Sequence, residues 1–180
     1  MTEFTRSTTA AAFWSPERKR LWSMLALGTF AILVWQGLSA WKTSHAILLN
    51  ASDSLPNWAF VLETKAPPAR DDLIFFRAPA GPVMQRHFGA GEHMFGKHVI
   101  GSAGDVVTRE GRTFFVNGKE VATAKIQSRL GEPLALGPVG KIPFGCYYVG
   151  TDHKDGFDSR YALIGWICRD RIVGTGKAIL

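Results

Sequence analysis

RTFFVNGKEVATA, from Arg112 to Ala124, is the stretch that indicates most directly how this chain folds. Aromatic and β-branched residues, which favour strands, lead up to Asn117 and Gly118. An Asn-Gly pair supplies the two positive φ angles that a tight primed turn needs. The stretch therefore predicts a β-hairpin whose strands cover residues 112–116 and 120–124.

Short strand-like runs continue on both sides of this hairpin. They are WAFVLET (58–64), DLIFFRA (72–78), KHVIGS (97–102), DVVTRE (105–110), CYYVGT (146–151), IGWICRD (164–170) and RIVGTG (171–176). Turn-forming residues separate them, and no stretch after Pro56 keeps helical spacing for three turns. The segment from Gln127 to Lys141, with three Gly and two Pro, reads as a long irregular loop. The expected fold class is therefore mainly β, with one β domain over residues 44–180.

The segment from Leu21 to Trp41 contains no charged residue and is predicted to cross a membrane. As a helix rising about 1.5 Å per residue, it would span roughly 30 Å, the thickness of the hydrocarbon core. Three basic residues precede it and only Lys42 follows it closely, which by the positive-inside rule keeps the N-terminus in the cytoplasm. We expect a short cytoplasmic tail at 1–18, a single-pass anchor in the cytoplasmic (inner) membrane at 19–43, and a periplasmic or extracytoplasmic domain after it.

A cleavable signal peptide is the alternative interpretation of this segment, since the small residues Ser44 and Ala46 flank His45. The apolar run exceeds the roughly 7 to 15 residues of a typical signal core, which favours a retained anchor. The lipid bilayer is therefore an expected partner. Four apolar residues further along the chain are expected in the core rather than against lipid or substrate: Met84, Phe88, Met94 and Phe95.

Composition and charge argue against several classes of protein. The net charge of +6 is dispersed rather than gathered into Lys/Arg runs, so no nucleic-acid partner is expected. Two cysteines are too few for a disulfide scaffold or a four-cysteine zinc site. Cys146 and Cys168 could form one bridge if their strands pair in register, or could be two separate buried thiols. No H-E-x-x-H or comparable spacing occurs, and neither a metal nor a cofactor is expected.

Two separated motifs carry a resemblance to a known family. GKHVIGSAGDVV, from Gly96 to Val107, is similar to the lysine box of the type I signal peptidases, with Lys97 as its lysine. IPFGCYYVGTDHKDGFDSRYALIGWICRDRIVG, from Ile142 to Gly174, resembles the C-terminal box of the same family, with Asp158 and Arg160 in its D-S-R triplet. The resemblance implies a signal-peptidase-like catalytic β domain behind a single N-terminal transmembrane helix.

The stretch NASDSLPNW, from Asn50 to Trp58, then aligns with that family's nucleophile box, S-x-S-M-x-P. It has Leu in place of Met and one residue fewer before Pro56. That form is close to the S-x-P box of the conjugative-transfer (TraF-type) peptidases, which trim pilin precursors. Only 36 residues separate Asp105 from Ile142, too few for the large second domain of many housekeeping signal peptidases. The chain therefore resembles the TraF-type enzymes most closely.

The resemblance implies a role for each candidate site residue. It assigns Ser54 as the nucleophile and Lys97 as the general base of a Ser-Lys dyad. Ser52 would help to stabilise the oxyanion. Asp158 would orient the site, with Arg160 as its neutralising partner.

A lysine acts as a base only when its amine sheds a proton, and burial lowers the pKa of such an amine. Phe95, Val99 and Ile100 are expected to supply the apolar surroundings. Gly156 occupies the position where the family often has a Ser or Thr that bonds the lysine. The sequence therefore leaves open what orients Lys97.

These features predict a membrane-anchored serine endopeptidase that cuts a membrane-inserted precursor after a small residue. A conjugative pilin is the expected precursor, and head-to-tail cyclisation is one outcome open to an acyl-enzyme. The alternatives are a housekeeping-type signal peptidase for secreted proteins and an inactive β scaffold of a conjugation or secretion complex. A Ser-His-Asp arrangement through His98 or His153 is the enzymatic rival. A self-cleaving DNA-binding repressor needs a soluble DNA-binding domain where this chain has its apolar span.

Overall fold

The computed structural model of the chain describes residues 15–49, 57–64 and 66–179. These residues fall into two compact units, which adjoin in sequence between Ser44 and His45. The first unit contains one long helix, and the second contains the strands.

The long helix, α1, covers Pro16–Lys42. Ser15 caps its N-terminus by accepting a hydrogen bond from the backbone of Arg18, and Pro16 lies in the first turn, where a missing N–H is no loss. An 18-residue window with a mean hydropathy of 1.6 makes the helix long and apolar enough to cross a membrane. The helix begins three residues ahead of the predicted anchor at 19–43, at the position that the Ser15 cap defines.

The described part of the second unit contains eleven strands and one short helix. They are β1 His45–Leu49, β2 Ala59–Glu63, β3 Leu73–Arg77, α2 Pro82–Phe88, β4 Met94–Gly101, β5 Val106–Glu110, β6 Thr113–Val116, β7 Lys119–Thr123, β8 Gly140–Lys141, β9 Cys146–Gly150, β10 Ile167–Cys168 and β11 Ile172–Ala178. Seven strands form one antiparallel sheet in the order β1-β2-β11-β3-β4-β9-β10, and four form another in the order β7-β6-β5-β8. The predicted mainly β fold is confirmed.

The main hydrophobic core draws side chains from both sheets. Phe76 and Val99 of the larger sheet and Phe114 of the smaller sheet are fully buried. A second, smaller cluster joins Phe60 to Phe75, whose ring centroids lie 5.1 Å apart. Because successive residues of a strand face opposite ways, β3 contributes to both clusters. Each fully buried side chain of this size stabilises the fold by roughly 1.5–3 kcal/mol relative to an exposed one.

The predicted hairpin is present, and its boundaries shift by one residue. Asn117 and Gly118 form the tight turn with φ angles of 50° and 78°, and β6 and β7 pair directly across it. The turn is tied to the connection between β4 and β5, because the Asn117 side chain donates a hydrogen bond to Asp105 at 2.7 Å. Arg70 donates to the other carboxylate oxygen of Asp105. The aspartate of the lysine box therefore holds three segments of the chain together.

The sequence patterns missed β1 and α2. Helix α2 has seven residues, fewer than the three turns over which a helical pattern is recognisable. The predicted irregular loop at 127–141 is largely confirmed, because its only regular features among the described residues are two isolated bridges, Gln127 to Pro133 and Leu136 to Tyr161, and the two-residue strand β8 at its end.

Cys146 and Cys168 form a disulfide. They lie directly opposite each other where β9 pairs with β10. Of the two possibilities left open by the sequence, the structure therefore has the bridge and not two separate thiols. The chain between them carries the D-S-R triplet of the C-terminal motif. A cross-link between residues 22 positions apart stabilises a fold by about 3 kcal/mol in the chain-entropy model.

The hydroxyl of Tyr148 is fully buried and has no hydrogen-bond partner among the described residues. Because an unpaired buried hydroxyl costs about 1–3 kcal/mol, we expect Tyr148→Phe to raise the free energy of unfolding by about 1 kcal/mol. Thermal melts of the detergent-solubilised protein would measure the change. The matched control is Tyr161→Phe, which removes an acceptor bonded to the backbone N–H of Lys125 at 3.1 Å and should lower stability. Equal destabilisation by both exchanges would contradict the assignment of the Tyr148 hydroxyl as an unpaired buried group.

Candidate active site

The β unit contains a cleft of about 560 Å³. One wall is the beginning of β4, including Phe95 and Lys97, and a second is the end of α2, with His87 and Phe88. The loop after β7 and the segment around Gly156 line the other sides. The rings of Phe88 and Phe95 meet edge to face, with centroids 5.0 Å apart, so the two named walls are largely aromatic where they join. A cavity of this size with a few polar groups is typical of a binding or catalytic site.

Lys97 lines this cleft from the middle of β4 and is only 4% exposed. Its Nζ lies 5.9 Å from the centroid of the Phe95 ring, and Val99, on the same face of the strand, is fully buried. Burial lowers the pKa of Lys97; the field of Asp158 raises it less, and the field of Arg160 lowers it further. The pKa therefore lies below the ordinary value for a lysine, and the surroundings favour the neutral, basic amine.

Asp158 and Arg160 form a buried, bidentate ion pair beside the lysine. Arg160 Nε donates to Asp158 Oδ1 at 2.8 Å, and Nη2 donates to Oδ2 at 2.8 Å. The guanidinium also donates to the backbone carbonyls of Thr123 and Gly156, each at 3.2 Å. Because the two charges neutralise each other, this carboxylate can lie near Lys97 without holding it as an ammonium ion.

Gly156 lies close to the amine of Lys97. A Cβ at this position would lie 2.4 Å from Cγ2 of Thr151, 3.2 Å from the carbonyl oxygen of His153 and 3.4 Å from Nζ of Lys97. A Ser or Thr here, as the family often has, would therefore first require the Thr151 side chain to move. The Gly156 carbonyl accepts a hydrogen bond from Arg160, and the glycine lies close to the amine of Lys97.

The structure brings together three of the five residues predicted for the site: Lys97, Asp158 and Arg160. The other two, Ser52 and Ser54, lie outside the described residues, and their roles stay predictions. Of the three apolar neighbours predicted for the lysine, Phe95 and Val99 share its strand face, whereas Ile100 faces the other way and approaches Gly150.

The two histidines of the Ser-His-Asp alternative both contact backbone groups. His98 Nδ1 is 3.2 Å from the carbonyl oxygen of Asp71. His153 Nδ1 accepts a hydrogen bond from the backbone N–H of Asp155 at 3.3 Å. Neither contact has the carboxylate-imidazole geometry of a catalytic triad.

The α2 wall of the cleft was not predicted from the sequence. Met84 of α2 is buried, as expected, but Phe88 and Met94 are each 43% exposed and line the cleft. Core packing is therefore the wrong expectation for these two residues, and Phe95 is half-buried at the cleft. The residues around Phe88 carry no signal of a site in the sequence, because only helix α2 brings this side chain to the cleft.

Comparisons with known proteins identify the family of the chain. A family model described as signal peptidase, peptidase S26, matches residues 19–180. The chain belongs to this family.

Two relatives in the genus Bacillus show the extent of the similarity. The chain is 40% identical over 92 residues to signal peptidase I T of Bacillus subtilis, covering 46% of this chain and 47% of that protein. It is 37% identical over 92 residues to signal peptidase I of Bacillus amyloliquefaciens, covering 46% of this chain and 47% of that protein. The chain spans about half the length of the curated relatives it matches. A crystal structure of a signal peptidase I from Enterococcus faecalis matches with 23% identity and a TM-score of 0.38, covering 60% of this chain and 95% of that one.

The burial of Lys97 predicts a pH-dependent gain in stability for Lys97→Met. The unfolded state holds the proton up to the ordinary lysine pKa of 10.5 and the folded state releases it at a lower pH. Between these two values, the stability of the parental protein rises with pH by up to about 1.4 kcal/mol per unit. Lys97→Met should therefore be more stable than the parent at pH 7, and the difference should shrink as the pH approaches 10.5.

Chemical denaturation in detergent at a series of pH values measures this difference. The control is the same exchange at the exposed Lys177. A pH dependence for Lys97→Met no larger than that for Lys177→Met would contradict a lowered pKa at the buried amine.

Proposed function

We propose that this protein is a membrane-anchored serine endopeptidase that cleaves membrane-inserted precursors with a Ser-Lys dyad. The observation that carries the proposal is the amine of Lys97, 4% exposed in the wall of a cleft and beside a neutralised carboxylate. Membership of the signal peptidase family supports the same assignment. Ser54 is the proposed nucleophile because of its place in the nucleophile box.

In the proposed reaction, the neutral Nζ of Lys97 takes the proton of the Ser54 hydroxyl as the oxygen attacks the carbonyl carbon of the precursor. The negative oxygen of the tetrahedral intermediate would accept hydrogen bonds from the Ser52 hydroxyl and a backbone N–H. When the intermediate collapses, the C–N bond breaks and Lys97 returns the proton to the leaving amine. A water molecule, deprotonated by the Nζ of Lys97, then hydrolyses the acyl-serine ester.

The edge of β4 supports a way of binding the precursor. Strand β9 pairs with β4 only from His98 onward, so in the described part of the chain the edge at Phe95 and Lys97 borders the cleft without a strand partner on that side. An extended peptide can add to such an edge through main-chain hydrogen bonds. We propose that the precursor binds in this way, with the cleaved bond next to Lys97.

We also propose that residues 1–18 lie in the cytoplasm, that 19–43 span the inner membrane, and that 44–180 form the extracytoplasmic peptidase domain. The apolar helix α1 and the basic residues before its apolar part support this orientation. The disulfide of the β unit supports an oxidising compartment for that unit.

A conjugative pilin precursor is the first candidate substrate. The shortened nucleophile box supports it, and so does the small second sheet, which is complete within residues 106–141. Secreted proteins with signal peptides are the second candidate, which the relatives named signal peptidase I favour.

Cleavage of a precursor in detergent micelles tests the dyad. We expect Ser54→Ala and Lys97→Ala each to slow cleavage by about a thousandfold or more, and Lys97→Arg to be equally inactive because a guanidinium stays protonated. Ser52→Ala should slow cleavage by roughly a hundredfold. Lys177→Ala, at an exposed position on β11, is the control and should keep the parental rate. Parental rates for both Ser54→Ala and Lys97→Ala would show that the dyad assignment is wrong.

Intact-mass measurement of two precursors separates the two substrate classes. A pilin precursor and a secreted precursor are each incubated with the parental protein and with Lys97→Ala. We expect the pilin precursor to be processed faster, and cleavage of the secreted precursor alone would contradict the pilin proposal. A pilin product lighter than the hydrolysed chain by one water would identify cyclisation, because an amine rather than water then resolves the acyl-enzyme.

A further inference from the structure

The loop after β7 contains a compact turn at residues 127–133, which we call the recognition tip. Its two ends meet in an antiparallel bridge. The hydroxyl of Ser128 accepts a hydrogen bond from the backbone N–H of Leu130 at 3.1 Å, which fixes the turn. Arg129 lies at the apex, where it is exposed to solvent and lines the cleft.

Glu132 fixes the recognition tip to the facing wall of the cleft. Its side chain is only 8% exposed, and its Oε2 lies 2.9 Å from Nε2 of His87 on α2. Arg86 contacts the other carboxylate oxygen at 3.1 Å, and the Ser128 hydroxyl donates to Oε2. Hydrogen bonds from Ser128 and then from His87 hold the pKa of Glu132 below its ordinary value. The anchor therefore stays ionised at neutral pH, and it joins two walls of the cleft.

The side chains beside the recognition tip are mainly basic. Lys125, Arg129 and His153 line the cleft, and Asp155 is the one carboxylate among its described lining residues. Lys125 already binds this carboxylate, and its hydrogen bond is the main cause of the lowered pKa of Asp155, to which the field of Arg129 also contributes. Among the described residues, no carboxylate forms an ion pair with Arg129. Its guanidinium therefore has donors to offer to a ligand.

We propose that Arg129 binds an acidic side chain of the precursor and so selects precursors with Asp or Glu near the cleaved bond. The inference rests on the proposed function, because the recognition tip and the proposed base line the same cleft. An extended chain advances about 3.3 Å per residue, so in a cleft of about 560 Å³ the acidic residue lies within a few positions of the cleaved bond.

The chemistry of the guanidinium favours a carboxylate as its ligand. Its planar donors match the two oxygens of a carboxylate, and the resulting charge-assisted bonds are stronger than neutral ones. The aromatic side chains of Phe88 and Phe95 line the same cleft, which reduces screening by water around a bound peptide. A lipid phosphate has similar chemistry, but the position of Arg129 inside the cleft of the proposed base favours the precursor.

Peptide binding to the full chain carrying Lys97→Ala tests the proposal without the complication of cleavage. The probes are fluorescein-labelled peptides that share one apolar sequence around a small residue, after which cleavage is predicted. In each peptide, one position near that residue is replaced by Asp, Asn or Lys. Fluorescence anisotropy in a neutral detergent gives the Kd of each peptide. We expect one position at which Asp binds about tenfold more tightly than Asn. Adding Arg129→Gln should remove this preference, and adding Arg129→Glu should reverse it in favour of Lys.

The matched control is Arg109→Gln, which removes an exposed arginine of β5 whose side chain donates to its own turn at Gly111. It should leave the preference unchanged. Equal binding of Asp and Asn peptides at every position, or a preference that survives Arg129→Gln, would overturn the proposal. The same binding is also measured in phosphatidylglycerol vesicles. If Arg129→Gln weakened the binding of all peptides equally, and only in these vesicles, Arg129 would be a lipid contact and the proposal would be overturned.

Cleavage of the same peptides by the parental chain is measured separately. An acidic preference in binding with no cleavage of any peptide would contradict the proposed function and still support the role of Arg129. Cleavage that is indifferent to acidic residues, together with indifferent binding, would leave the proposed function standing and remove the role of Arg129.

Discussion

The burial of a single amine is the constraint on which the rest of the site depends. Lys97 lies in a central strand, between β3 and β9, where an apolar side chain would ordinarily contribute to the core. An isolated charge at such a position is costly, so the group gives up its proton more readily. A direct carboxylate partner would cancel this effect by stabilising the ammonium. The bidentate bond from Arg160 to Asp158 offsets part of that effect, so burial still holds the pKa of Lys97 below its ordinary value.

Arg160 also connects the site to the smaller sheet. Besides Asp158, it binds the carbonyl of Thr123 at the end of β7 and the carbonyl of Gly156 beside the lysine. The next residue, Tyr161, accepts a hydrogen bond from the backbone of Lys125, at the start of the loop that leads to the recognition tip. The D-S-R-Y run of the C-terminal motif therefore positions the lysine environment and the loop wall together. We propose that this run places backbone and charge rather than reacting itself.

Local patterns were enough to predict the β fold, and tertiary contacts decided what they missed. The Asn117-Gly118 turn and the strand runs depend on neighbouring residues, so their propensities can be read directly. Helix α2 is too short for a periodic pattern, and its contribution of Phe88 to the cleft depends on packing that no local pattern encodes. The surroundings of Lys97 at Gly156 likewise depend on the loop geometry. A glycine has no side chain from which a contact with the lysine could be predicted. No local pattern distinguishes Arg129, because only the tertiary structure places it beside the cleft.

The bridge between Cys146 and Cys168 has a consequence for when the site is completed. The two cysteines enclose Gly156, Asp158 and Arg160, so the segment that tunes the lysine is covalently closed only after the thiols are oxidised. Thiols stay reduced in the cytoplasm and are oxidised after export. In the proposed orientation, a newly made copy would therefore close this segment only after it has left the cytoplasm.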